Sequence, residues 1–157
     1  MRAGVYRPPL GKPVRGMCQP DGRAYRSSVF ESLDYIYMPS HDVAADMKWF
    51  VKTLGAKVVF AIDGMGARVA MLKLGRSKPP VLLTDHLESD MPVLVYRVDD
   101  VEEARQELRK RGWKKGRMLE LPMGTALSFT APGGQRIAFF ELSRPDVEKH
   151  FRGRHDF

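Results

Sequence analysis

Residues 131–142 read Ala131-Pro132-Gly133-Gly134-Gln135-Arg136-Ile137-Ala138-Phe139-Phe140-Glu141-Leu142, and the fold turns on how this stretch is taken. Pro132-Gly133-Gly134 is a turn signal, because glycine is free to take positive φ and proline cannot extend a ladder. Ile137 to Leu142 is apolar and aromatic, is closed by Ser143-Arg144-Pro145, and reads as a strand. Val81 to Asp85, behind the loop Gly75 to Pro80, is a second strand of the same kind, with Val81 56 positions before Ile137. The two strands invite a comparison of everything that leads up to them.

The lead-ups match. Leu33 to Met38 is a β-rich run stopped by Pro39. Asp42 can cap a helix whose apolar face is Val43, Met47, Phe50 and Leu54, and Gly55 ends it. Lys57 to Ile62 and Ala67 to Leu74 are strands about the turn Asp63-Gly64-Met65-Gly66. The second half repeats this order. Val93 to Val98 is a strand, and Asp100 caps a helix with Val101, Ala104 and Leu108 on its apolar face, Glu103 completing a capping box. Gly112 closes that helix. Gly116 to Leu121 and Thr125 to Thr130 then flank the turn Pro122-Met123-Gly124. Asp42 maps to Asp100 and Gly66 to Gly124 at one offset of 58, and Gly55 maps to Gly112 at 57. Each half reads strand–helix–strand–strand–strand, an internal duplication. Neither half can bury its sheet unaided, so the two must share a core.

Composition sets the outer bounds. The 157 residues suffice for one domain, and 43% hydrophobic content is ordinary for a globular chain. No apolar run approaches the ~18 residues of a membrane span, and no apolar segment follows the N-terminal basic residues as a secretory signal requires. Cys18 is the single cysteine, which excludes an intrachain disulfide and a cysteine metal cluster and points to the cytoplasm. The net charge of +7 belongs mostly to a Pro-, Gly- and Arg-rich arm over residues 1–30, which carries +5. The rest holds 20 basic and 18 acidic side chains, a balance that argues against nucleic acid. Arg109, Lys110, Arg111, Lys114, Lys115 and Arg117 form a dense group, but cations suit a helix C-terminus and no aromatic platform is interleaved with them.

With the strand before Asp42-Val43, Trp49-Phe50, Leu54-Gly55, Val98-Asp99-Asp100 and Pro132-Gly133-Gly134-Gln135-Arg136-Ile137, the chain resembles the vicinal oxygen chelate superfamily. That superfamily includes glyoxalase I, bleomycin-resistance and extradiol-dioxygenase proteins. The resemblance spans about Leu33 to Leu142. It implies an α+β fold in which paired βαβββ modules form a curled mixed sheet around a concave cavity, helices outside. The arm would occupy 1–30 and the domain 31–157, divided into modules 31–90 and 91–143 and a short helical tail. In the tail Ser143-Arg144-Pro145-Asp146 would be a capped helix start before one or two turns over Val147 to Phe151, with Phe151 and Phe157 tucked against the domain and no chemistry of their own.

Strand alternation would turn Tyr35, Tyr37, Val93, Val95 and Arg97 into the cavity and Ile36, Met38, Leu94, Tyr96 and Val98 under the helices. Metal-using relatives carry His or Glu ligands at positions that correspond here to Tyr35, Leu82, Val93 and Ala138. A divalent site needs about three protein ligands, and three of these side chains are hydrocarbon. Glu141 lies three residues past the expected ligand and should face the other way, and His86 is a lone histidine at a strand end. The expectation is therefore a protein with no metal and no cofactor that binds a small organic ligand through Tyr35, Tyr37, Leu82, Thr84, Val93, Arg97, Ala138 and Phe140. Arg97 would orient an anionic or carbonyl group. The resemblance also implies a homodimer. The alternatives are a metal-dependent lyase or dioxygenase with non-standard ligands, and a metal-free isomerase or cyclase using cavity tyrosines and Arg97.

Overall fold

A computed structural model describes residues 28–76 and 78–157. Nearly all of the basic arm, Cys18 included, lies outside the described residues. The described chain runs β1 (Ser32–Pro39), α1 (Val43–Leu54), β2 (Lys57–Gly64), β3 (Ala67–Lys73), β4 (Val81–Thr84), β5 (Val93–Val98), α2 (Val101–Lys110), β6 (Arg117–Leu121), β7 (Gly124–Thr130), β8 (Arg136–Glu141) and α3 (Val147–Phe151).

The eight strands form one mixed, curled sheet in the order β2-β3-β4-β1-β5-β8-β7-β6. Each module contributes one half, and the halves meet where β1 and β5 run antiparallel. Within each module the first strand pairs in parallel with the fourth, β1 with β4 and β5 with β8. Asp42 Oδ1 accepts from Ala45 N–H at 3.0 Å and Asp100 Oδ1 from Glu103 N–H at 2.7 Å, so both helix starts are capped as their sequences require. Gly55 takes the left-handed conformation (φ 68°) that ends α1. The first hairpin is tighter than its sequence suggests. Met65 and Gly66 both have positive φ (55° and 78°), the signature of a two-residue type I′ turn, and β2 therefore runs on through Gly64.

Three apolar clusters sort the residues by face. Val43 and Met47 of α1 pack with Ala61, Leu72, Val81 and Leu83 on the convex side. Val101 and Ala104 of α2 pack with Val98, Leu127 and Phe139 beside them. Tyr35, Phe60, Met71, Leu82, Val93, Val95, Met123, Ala126, Ala138 and Phe140 fill the concave side. Phe139 and Phe140 are both fully buried on opposite faces, each worth about 2–3 kcal/mol of transfer free energy. Val29 and Phe30, which the sequence reading placed at the end of the arm, pack against the α2 cluster. Phe30 lies 5.0 Å from the Tyr96 ring and 5.9 Å from Phe139.

Two irregularities break the alternation. Leu33 pairs with Tyr96 and Tyr35 with Val95, so Asp34 is an extra residue in β1. Val58 pairs with Leu72 and Phe60 with Met71, which makes Val59 the extra residue in β2. A bulge puts two consecutive side chains on one face. Asp34 and Tyr35 accordingly line one cavity together, and Val59 and Phe60 both pack on the concave side.

The tail is a strap across the open side of the sheet. Arg144 N–H donates to Met123 O at 2.9 Å, and its guanidinium reaches Leu121 O, Pro122 O and the Glu120 carboxylate. Beyond α3, Gly153 N–H donates to Val59 O, Ala61 N–H to Arg154 O and Asp156 N–H to Ala61 O, at 2.7–2.9 Å. The strap thus ties the β6–β7 turn to the outer edge of β2. Phe151 packs on Phe60 with ring centroids 5.8 Å apart, and Phe157 joins the α1 cluster. Asp146, the residue before α3, makes no side-chain cap bond and instead accepts from Lys149 Nζ at 2.6 Å.

Candidate functional site

Beneath the strap lies a groove of about 570 Å³. Tyr37 and Leu82 come from the sheet centre, Phe60, Ile62, Val69 and Met71 from β2 and β3, Met123 from the second-module turn, and Glu148 and Phe151 from α3. Each element reaches it for a local reason. The β2 bulge brings Phe60 onto the concave face. Gly124 at φ 150° allows the turn that lowers Met123, since a Cβ there would meet Glu141 O at 2.1 Å.

One wall carries two polar rings, Tyr37 and His86. Tyr37 sits edge-on to His86 at 6.4 Å between ring centroids, and His86 Nδ1 lies 2.5 Å from Thr84 Oγ1. Burial pushes the Tyr37 phenol up to about 12, so at neutral pH it is a neutral donor and acceptor. Tyr35 is raised as well, first by burial and then by the charges of Glu148 and Asp34.

The expected ligand residues are divided by the structure. Tyr37 and Leu82 line the groove. Val93, Ala138 and Phe140 are buried in the concave core, Thr84 is fully enclosed and bonded to His86, and Tyr35 lines a separate, smaller cavity. Arg97 departs most from expectation. The β1 bulge turns Asp34 toward it, and both Nε, at 2.9 Å, and Nη2 bond to Asp34 Oδ2. Ser32 Oγ donates to the other carboxylate oxygen at 2.5 Å. Strict alternation hides this pair by placing Asp34 under the helices. The surest sequence hint was the awkwardness of a carboxylate there. Glu148, Arg144 and Phe151 were also missed, because a tail has no strand register to say what it covers. Glu141 does face the convex side, where Oε2 accepts from Val101 N–H at 3.4 Å. In the basic group, Lys110 and Arg111 pair with Glu107 at 3.6 and 2.9 Å.

The sequence profile of the Glyoxalase/Bleomycin resistance protein/Dioxygenase superfamily matches residues 32–139. The chain belongs to that superfamily. Among solved structures, the fold is similar to that of methylmalonyl-CoA epimerase from Mycobacterium tuberculosis, with a TM-score of 0.60 at 20% identity over 76% of this chain and 93% of that one. It is also similar to a variant of Streptomyces coelicolor methylmalonyl-CoA epimerase in complex with 2-nitronate-propionyl-CoA, with 0.56 at 18% identity over 73% and 99%. A hypothetical protein from Bacillus halodurans gives 0.56 at 19% identity over 72% and 95%. These likenesses establish the fold. No curated protein matches the sequence.

The superfamily raises the question of a metal, and the donor set bears on it. Tyr35, Leu82, Val93 and Ala138 do converge on the concave face, as the modules require, but in one apolar cluster. Hydrocarbon side chains at three of four positions do not fit a divalent ion. Among the described residues no three His, Cys, Asp or Glu side chains are grouped to hold one. Nor, among them, is any helix long and apolar enough to cross a membrane.

Proposed function

We propose that this member of the superfamily binds a small amphipathic organic ligand in the groove beneath the strap, without a metal ion. The observation that supports it is the contrast between two regions of one face. Three of the four ligand positions of metal-using relatives carry packed hydrocarbon side chains, while on the same face an apolar groove stays open to a drug-sized molecule. Tyr37 and Leu82 contact the body of the ligand, and the Tyr37 hydroxyl and the His86 ring supply polar contacts. Val93, Ala138 and Phe140 shape the floor from below. The acyl-CoA analogue named with the Streptomyces coelicolor epimerase is itself an amphipathic anion, which favours the same class of ligand here.

The reading includes a cytoplasmic homodimer. Trp49, Val51 and Leu54 are exposed apolar side chains on α1, and light scattering at micromolar concentration should return twice the 17.8 kDa chain mass. Native mass spectrometry of untagged protein tests the central reading. The expected spectrum shows an organic adduct and no stoichiometric metal. One zinc, nickel, manganese or iron ion per chain would overturn it.

A further inference from the structure

A second cavity of about 230 Å³ adjoins the groove, and Met71 and Glu148 line both. Its character is different. Tyr35 and Asp34 form the buried floor, and Lys73, Arg76, Lys78 and Arg152 form an exposed rim. Four cations thus face two carboxylates, and both carboxylates are already engaged. Asp34 is held by Arg97 and Ser32, and Glu148 Oε1 accepts from Arg152 Nη2 at 2.8 Å. Among the described residues Lys73, Arg76 and Lys78 are in no ion pair.

The local sequence accentuates the excess. Lys73 stands directly opposite Lys57 in the β2–β3 ladder, a like-charge pairing that destabilises the hairpin unless an anion lies nearby. Arg76 and Lys78 follow within the β3–β4 loop and return to the same mouth. Tyr35 completes the set. Its raised phenol keeps its proton at neutral pH and offers a hydrogen-bond donor from the floor. Cations at a rim above a neutral donor suit a compact oxyanion.

We infer that this pocket holds the anionic group of the ligand, a phosphate or a carboxylate, while the apolar body lies across Met71 in the groove. The inference rests on the groove's being the binding site. It transfers to Lys73, Arg76, Lys78 and Tyr35 the role that the sequence assigned to Arg97, whose guanidinium is committed to Asp34.

Two dyes with nearly the same ring system separate the two claims. N-phenyl-1-naphthylamine is neutral, and 8-anilinonaphthalene-1-sulfonate adds one anionic group. Fluorescence titration of the full chain at low salt should show both binding, the sulfonate about tenfold or more tighter, as one charge-assisted contact allows. In the triple variant Lys73→Gln, Arg76→Gln, Lys78→Gln that preference should vanish while neutral-dye binding is kept, and a cooperative thermal melt shows that the variant is folded. Inorganic phosphate and succinate, titrated separately, should displace the sulfonate, the one effective at lower concentration naming the group; displacement by neither would overturn the anion pocket. Failure of the neutral dye to bind would overturn the groove. Equal affinity for both dyes, or a preference kept by the triple variant, would overturn the anion pocket alone.

Discussion

Replacing Arg97 by methionine should unfold the protein more readily before it affects any ligand. Asp34 is 3% exposed and Arg97 30%, so the pair lies at the edge of the interior. Methionine keeps the apolar stem but leaves the Asp34 carboxylate with only the Ser32 hydroxyl on its other oxygen. Stripping one partner from a buried pair costs about 3–5 kcal/mol, and the partial exposure of Arg97 lowers this to about 2–4 kcal/mol. For a domain of this size that corresponds to a fall in Tm of about 6–12 °C. Asp34→Asn, which keeps its shape and lets the partly exposed guanidinium hydrate, should cost only about 1 kcal/mol. The double variant should then recover part of the loss, because no buried charge remains unpaired, giving a coupling of about 1–3 kcal/mol. Urea unfolding followed by circular dichroism reads all four corners of the cycle. Additive effects, with Arg97→Met costing under about 1 kcal/mol, would refute the structural role and return Arg97 to the ligand.

Other expectations follow from the strap and the buried phenols. Phe151→Ala removes the ring that closes the groove over Phe60 and, being only half-buried, should lower stability by about 1–2 kcal/mol while weakening neutral-dye binding; an unchanged dye isotherm would show that the strap does not bound the site. Gly124→Ala forces a Cβ to 2.1 Å from Glu141 O at φ 150° and should reduce the soluble folded fraction, whereas Gly66→Asn at φ 78°, with open space around it, should be tolerated; thermal melts compare them. Tyr37 titrates near 12 in the folded state against about 10 unfolded, so its contribution to stability is full below pH 10 and is lost as pH rises toward 12. Phenolate absorbance should accordingly show late-ionising tyrosines, and a single transition near pH 10 for all five would contradict the burial.

The duplication was legible because both halves use the same punctuation at nearly the same spacing. Asp42 and Asp100 start helices, Gly55 and Gly112 follow them, and regular alternation in Val93–Val98 puts Val93 and Val95 on one face and Tyr96 and Val98 on the other. Burial of Tyr35, Leu82, Val93 and Ala138 in one cluster follows from the same logic. What escaped was whatever departs from period two. A bulge inserts one residue, and its position is set by packing across the sheet, so strict alternation hid the Asp34–Arg97 pair and left only the awkward carboxylate as a hint. The strap escaped for another reason. Residues 143–157 contain no periodic pattern long enough to give direction, and their contacts with Met123, Val59 and Ala61 join parts of the chain far apart in sequence. Once the strap is placed, the open part of the concave face shifts from the module junction toward β2 and β3, and the binding region shifts with it.

On the proposed function, this groove binds its ligand without metal chemistry. The most direct measurement is the binding isotherm of N-phenyl-1-naphthylamine to the full chain, taken before and after exhaustive chelation and again after adding back zinc, nickel, manganese or ferrous ion. One site per chain with a dissociation constant unchanged throughout is the predicted result. Loss of binding on chelation, restored by any one of these ions, would contradict it.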